Sequence, residues 1–298
     1  MNDRLTPEAA LAAAVVSGGF VALQQRINGE LGGDLHDPLL AAVVSFGTGL
    51  VLMTVLVSRR LPVLRRLRQV PWWSRLGGLC GATLVAVGAA AAPKIGVALL
   101  TVGFVSGTTV AALVVDRLGL GPGERRPLTT GRLAGAALCL GAIGLSAREG
   151  LKAASPLLIA LVVLAGALIS VQQAVNGRVR AATDATVATF LNFLVGCTGL
   201  LVAFAAQALL GHAHADRWPH EPWLYLGGPI GCAFIAMAAV TVGVLGVLRL
   251  GLASTAGQLI GGLLLDLDRG VSAVTVLTVV LTLVAVGVSG LARRPVPA

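Results

Sequence analysis

Charged side chains are scarce in this sequence: only 12% of its 298 residues are Asp, Glu, Lys or Arg. A soluble domain carries about 25% charged residues, whereas 56% of this chain is apolar. Too few polar residues remain to cover a surface in contact with water. The composition therefore excludes a soluble globular protein and indicates an integral membrane protein.

Aromatic residues and cysteine motifs are also sparse, and their scarcity excludes other functions. Aromatic residues make up 4% of the chain, so no basic stripe interleaved with aromatics predicts a nucleic-acid site, despite the net charge of +9. The four cysteines fall inside apolar runs without a Cys-x-x-Cys pair. His212, His214 and His220 crowd one loop, where a solvated polar loop and a His-x-His metal site are the alternatives. We predict the solvated loop, with no metal and no cofactor.

Apolar runs of about one membrane thickness fill the chain, and a lipid solvent requires them to be helices because every backbone polar group must be satisfied within the segment. The sequence therefore predicts an all-α protein with ten transmembrane helices. The split of the last long apolar block is placed at Arg249. The ten runs are 8–28, 39–58, 75–92, 96–115, 129–146, 157–176, 187–210, 223–247, 251–265 and 272–291.

The distribution of Lys and Arg predicts the orientation. Of the 22 basic residues, 16 lie in the N-terminus, the even-numbered connections and the C-terminus, and six lie in the odd-numbered connections. Positive charge concentrates on the cytoplasmic side of membrane proteins. We therefore expect both termini in the cytoplasm and an even number of spans.

The chain repeats itself at a shift of about 148–150 residues. The segment SGGFVALQQRINGEL (17–31) aligns with GALISVQQAVNGRVR (166–180), and later glycines and Asp116 align with glycines and Asp266. The repeat predicts two five-helix units, residues 1–150 and 151–298. Because five is odd, the second unit would sit inverted relative to the first, which is how many secondary transporters are built.

Several segments carry a resemblance to a known family: QQRINGELGG, PLLAAVVSFGTG, WWSRLGGLCGA and the glycine-rich run that ends at Asp116. Together they resemble the YdcZ-like family of the drug/metabolite transporter superfamily, in its tandem form. The resemblance implies a bacterial inner-membrane protein and names no substrate. One departure is Thr108 after Gly107, where the family pattern and the second copy (Gly257-Gln258) have glutamine.

Amide side chains are the main polar groups inside the predicted spans. Helical spacing places the three amides of each QQ-x-x-N motif within about one turn, and their cost in lipid should turn them toward the bundle interior. They would either bond neighbouring helices or line a solute path, and the two roles are compatible. The predicted path residues are Gln24, Gln25, Asn28, Gln172, Gln173, Asn176, Asn192 and Gln258.

Asp116 and Asp266 end the fourth helix of each copy, where a negative charge opposes the helix macrodipole. Pairing with Arg117 or Arg269 and coupling to protons are the two explanations.

The sequence as a whole predicts a transporter of a small organic metabolite or drug-like solute, acting by alternating access and most simply as an exporter. Its partners are membrane lipid and the solute, and a homo-oligomer is left open. A non-transporting scaffold or lipid-interacting membrane protein is the alternative. No constellation of acids, bases or phosphate-binding arginines lies within the spans, so we do not expect an enzyme.

Overall fold

The computed structural model describes residues 5–146, 155–211, 218–265 and 273–291, and within these ranges the protein is α-helical and contains no strand. Among the described residues, the 3₁₀ segments Arg65–Gln69, Trp72–Leu76 and Pro222–Leu226 precede or connect helices. The α-helices are α1 (Pro7–Asp34), α2 (Pro38–Ser58), α3 (Leu61–Leu64), α4 (Gly77–Leu118), α5 (Thr130–Ser146), α6 (Pro156–Ala182), α7 (Ala185–Leu209), α8 (Gly227–Leu265) and α9 (Ala273–Ser289).

Length and composition alone make several helices able to cross a membrane. Within the described ranges five segments qualify, and Val276–Ser289 forms a shorter apolar helix. The integral membrane, all-α prediction is therefore confirmed. The five segments are Pro7–Asp34, Pro38–Ser58, Pro156–Ala182, Ala185–Leu209 and Pro222–Leu265.

Short polar residues precede several helices, and most of them cap the first turn. Thr6 Oγ1 accepts the N–H of Ala9, as its place before Pro7 predicts. Ser155, in the matching position before Pro156, makes no such bond. Two capping residues were not anticipated: Asp37 accepts two N–H groups at the start of α2, and Asp184 accepts one at the start of α7.

Helix α8 contains a reversal at Gly246, whose φ of 77° and ψ of 170° are not helical. Its first residue, Gly227, contacts Asn28 near the end of α1, Gly257 contacts Val15, and the carbonyl of Leu265 again lies near the end of α1, beside Arg26. Both ends of α8 thus lie beside the same end of α1, so α8 consists of two antiparallel arms. The predicted split at Arg249 was three residues too late, because only glycine adopts this backbone conformation without strain.

Helix α4 also folds back, although it combines two predicted helices (75–92 and 96–115) in one segment. A straight helix of 42 residues would extend about 63 Å. Instead, Gly77 contacts Asn176 near the end of α6, Gly107 contacts Val163, and the carbonyl of Gly119 returns to Arg178. The first and last turns of α4 therefore lie beside the same end of α6.

The packing pattern maps onto itself when the two halves of the sequence are exchanged. Helix α1 packs along both arms of α8, and its counterpart α6 packs along both arms of α4. Helices α2 and α7 pack on each other, as do α5 and α9. The first helix of each half consequently forms its largest interface with the other half, not with its own.

Candidate functional site

Two groups of amides lie where the halves meet. We call Gln24, Gln25 and Asn28 on α1 the first amide cluster, and Gln172, Gln173 and Asn176 on α6 the second amide cluster. The first cluster lies against Gly227 and Gly231 at the start of α8, and the second against Gly77 and Gly81 at the start of α4. Each cluster therefore packs on the glycines of the opposite half.

The first amide cluster is half-buried and incompletely bonded. Gln24 Nε2 donates to the carbonyl oxygen of Gly227 over 3.0 Å. Asn28 Oδ1 and Ser45 Oγ both point at the α-carbon of Gly227, and neither has a hydrogen-bond partner in the described part of the chain. Gln25 is exposed, and its Oε1 accepts from Gln258 Nε2 over 2.9 Å. Asn28 Oδ1 in the cluster and the adjacent Ser45 Oγ are thus buried atoms without a partner among the described residues.

The second amide cluster is buried and closed by a residue of α7. Asn192 Oδ1 accepts two hydrogen bonds, one from Gln172 Nε2 and one from Asn176 Nδ2, each over 2.9 Å. All three side chains are at most 5% exposed. Within the described residues, Gln173 Oε1 and Asn192 Nδ2 are buried without a partner.

Two substitutions between the copies explain this difference. Ser45 occupies the first-copy position of Asn192, and its short hydroxyl does not bridge Gln24 and Asn28. Thr108 occupies the first-copy position of Gln258, and its Oγ1 lies within hydrogen-bond distance of the backbone carbonyls of Phe104 and Gly166. Gln173, the counterpart of Gln25, is therefore left without the amide partner that Gln25 has.

The glycines at these contacts are required by the close approach of the helices. A Cβ on Gly81 would lie 2.7 Å from Gln172 Nε2, and one on Gly231 would collide with Gln24. The other glycines with Gly-x-x-x-Gly spacing show similar collisions, except that the approach at Gly261 is slightly wider, so this spacing allows tight helix packing. The affected glycines are Gly77, Gly81, Gly103, Gly107, Gly227, Gly231, Gly257 and Gly261.

Asp116 is the buried acid at the reversal of α8. Its carboxylate accepts the N–H groups of Val247 and Leu248, over 2.8 and 3.1 Å, and pairs with Arg132 over 2.5 Å. The expected partner Arg117 is thus replaced by Arg132. Its sequence counterpart Asp266 lies outside the described residues.

Arg126 stabilises the same reversal at the end of the first arm of α8. Its Nη2 donates to the carbonyls of Gly243 and Val244, the last residues of the first arm. A cation therefore caps the negative end of one arm while Asp116 caps the positive start of the next. Sequence reasoning did not identify Arg126 or Arg132, because the break that they stabilise lies more than 100 residues away.

The histidine-containing loop is only partly described, because His212 and His214 lie outside the described residues. His220 is exposed and lines a surface cavity of about 550 Å³ with Asp34, His36, Trp218 and Glu221, among others. No group of three or more His, Cys, Asp or Glu side chains within the described ranges is arranged to hold a metal ion.

Comparison with known proteins gives a family and a fold. The family model described as "Putative inner membrane exporter, YdcZ" matches twice, over residues 9–145 and 157–289. A solved structure described only as "Crystal structure of protein" has a TM-score of 0.69 and 21% identity, and the match covers 97% of this chain and 98% of that one. No curated protein matches this chain. The two family matches coincide with the two copies of the internal repeat.

Proposed function

Since this chain belongs to the YdcZ family, we propose that this membrane transporter exports a small organic solute across the bacterial inner membrane by alternating access, as a secondary carrier or facilitator. The observation that carries the proposal is the pair of amide clusters at the interface between the halves. In the second cluster Asn192 accepts from both Gln172 and Asn176, whereas the first cluster has no such shared acceptor among the described residues. Two equivalent gates in opposite states are what an alternating mechanism requires.

Ten membrane passages in two inverted units, residues 1–150 and 151–298, form the architecture of this proposal. Two arms in α4 and two in α8, added to the six other long helices, supply ten passages. The inversion is supported by contacts at the reversal of α8. Ala10 near the start of α1 belongs to the same buried cluster as Leu248, and Gly177 near the end of α6 contacts Val242. Equivalent helices therefore approach the same place with opposite ends.

The Lys and Arg distribution assigns sides to the two gates. With the start of α1 in the cytoplasm, Gln24 and Asn28 lie 17 and 21 residues beyond Pro7, or about 25–32 Å along the helix. The first amide cluster is then the outer gate and the second the inner gate. In this proposal, the hydrogen bonds that Gln172 and Asn176 donate to Asn192 close the inner gate. Rocking of one half against the other would exchange the two states.

The chemistry of the proposed path is neutral. Amides form both clusters and Ser45 adds a hydroxyl beside the first, so a solute recognised there would exchange hydrogen bonds with Gln, Asn and Ser side chains. We also propose that Asp116, at the reversal of α8, couples transport to protons. Protonation would remove the negative charge that holds Arg132 and the N–H groups of the second arm.

Thiol labelling tests the inverted gates directly. In a cysteine-free background, Asn28→Cys should react with an impermeant thiol reagent only from outside, and Asn176→Cys only from the cytoplasmic side. A transported solute should change the two rates in opposite directions. Reaction of both positions from one side would refute the arrangement.

The alternative function is a non-transporting scaffold or a lipid-interacting membrane protein. It is favoured by the bonds of the amides to one another and to backbone, which also hold helices together. Reconstitution in liposomes, with a screen of labelled metabolites, separates the two functions. Asn176→Ala should reduce transport more than it reduces membrane abundance if the amides line a path. A parallel fall of both quantities would favour the scaffold.

A further inference from the structure

Three arginines lie around the reversal of α8, and one of them pairs with the carboxylate of Asp116. Arg132 pairs with Asp116, Arg126 binds the carbonyls before the break, and Arg249 lies on the first turn after it, with its guanidinium beside Gly290 at the end of α9. Burial lowers the pKa of the Arg126 guanidinium, Asp116 raises it, and Arg132 and Arg249 lower it further. The four charges therefore act on one another within one site.

The carboxylate has little capacity left for these cations. Asp116 Oδ1 accepts from Val247, and Oδ2 accepts from both Leu248 and Arg132. Arg132 is only 8% exposed, yet its Nε has no partner among the described residues, and the buried Nε of Arg249 also has none. Two guanidinium donors thus stay unsatisfied in a largely buried site, which is costly for charged groups.

Among the described residues, Asp116 is the only acid that forms a salt bridge in this corner. Glu124 lines the small cavity next to Asp116 and Arg126, but it is exposed and forms no salt bridge. Arg117, Arg125 and Arg178 lie in the same corner and add positive charge: Arg117 adjoins Asp116, Arg125 packs against Gly119, and Arg178 binds its carbonyl. An additional anion is the simplest way to compensate for this excess.

We infer that this corner binds one phosphate-type anion between the guanidinium groups of Arg132 and Arg249. The planar donor fork of arginine matches phosphate oxygens, and such charge-assisted bonds are stronger than neutral ones. The corner lies at the end of the bundle that the Lys and Arg distribution assigns to the cytoplasm. The anion is therefore either the headgroup of an inner-leaflet phospholipid or a small cytoplasmic phosphate.

Thermal unfolding of the purified full-length protein in neutral detergent tests the site without any transport assay. Inorganic phosphate is compared with chloride at equal ionic strength, and phosphatidylglycerol with phosphatidylcholine. The Tm should rise with phosphate or with phosphatidylglycerol above its matched control. A rise with phosphate indicates that a small anion suffices, and a rise with phosphatidylglycerol alone indicates a lipid headgroup. No rise above either control overturns the inference.

Arg249→Gln tests which residues bind, because Arg249 is only half-buried and forms none of the bonds that shape the reversal. Losing one charge-assisted contact should weaken the apparent affinity by about tenfold or more. Arg60→Gln, at an exposed arginine between α2 and α3, is the matched control and should bind as the native protein does. Equal affinity in Arg249→Gln and the native protein, or equal weakening in both variants, would show that no such site exists. Since binding alone is measured, this result is independent of the proposed export.

Discussion

At the scale of single residues, the difference between Asn192 and Ser45 is the one that separates the two amide clusters, which we propose to be gates. Asn192 Oδ1 is the shared acceptor for Gln172 and Asn176, whereas Ser45 leaves Asn28 Oδ1 unpaired. Ser45 and Asn192 lie equally far from the starts of the equivalent helices α2 and α7. One side chain therefore distinguishes a cluster whose amides share an acceptor from one whose amides do not.

Exchanging these two residues should exchange the behaviour of the gates. Asn192→Ser leaves two buried amide donors without an acceptor, at a cost of roughly 1–3 kcal/mol for each unsatisfied group. We expect a lower Tm and faster cytoplasmic thiol labelling of a cysteine at position 173. Ser45→Asn supplies a donor for Asn28 and should slow labelling from outside of a cysteine at position 25.

The control for this exchange is Thr198→Ser, on the exposed face of α7, where the hydroxyl only bonds the carbonyl of Leu194. It should change neither rate. Unchanged labelling in both gate variants, with the proteins folded, would show that these hydrogen bonds do not control access.

At the scale of helices, the reversal at Gly246 determines the shape of α8. Any other residue at φ of 77° and ψ of 170° costs about 1–3 kcal/mol in backbone strain, and a Cβ would also press on the side chain of Arg126. Gly246→Ala should therefore lower the free energy of unfolding by at least that amount, as measured by thermal or denaturant unfolding in detergent.

Gly262→Ala is the matched substitution within the same helix. Its Cβ would meet nothing within 4 Å, and alanine favours helix over glycine by roughly 0.5–1 kcal/mol. It should be neutral or slightly stabilising. If Gly246→Ala behaves in the same way, the backbone at position 246 is not strained and the reversal has another cause.

The sequence predicts helices well here and their interruptions less well, for a physical reason. The apolar runs identify α1, α2, α6 and α7, since lipid requires a helix wherever such a run occurs. The reversal of α8 was misplaced by three residues because its stabilising groups, Asp116 and Arg126, come from another part of the chain.

The candidate site shows the same division between local and distant information. Amide spacing predicts that Gln24 and Asn28, or Gln172 and Asn176, share a helix face. It does not predict that Asn192 accepts from both members of the second pair, since that depends on how α7 packs on α6. Arg117 was expected to pair with Asp116 from adjacency, but neighbouring residues on a helix point in different directions.

At the scale of the whole molecule, the orientation in the membrane is the property to test. Sixteen of the 22 basic residues lie on the side predicted to be cytoplasmic. A reporter active only in the cytoplasm should therefore function when fused after Ala298 and when inserted near Arg66. A fusion to the loop around Trp218 is the opposite control and should be inactive. An inactive C-terminal fusion in an intact membrane protein would contradict ten passages.

Because each first helix packs on the opposite half, the chain also determines the order in which helix contacts form during synthesis. Gln24 bonds to Gly227, 203 positions later in the chain, and at about 5–20 residues per second the ribosome needs about 10–40 s to produce that partner. During this interval α1 lies in the bilayer before the α8 partner of its amide Gln24 has been synthesised. Helix α6 emerges after α4 is already inserted, so it can dock on arrival. The half that is translated first is therefore the last to be completed.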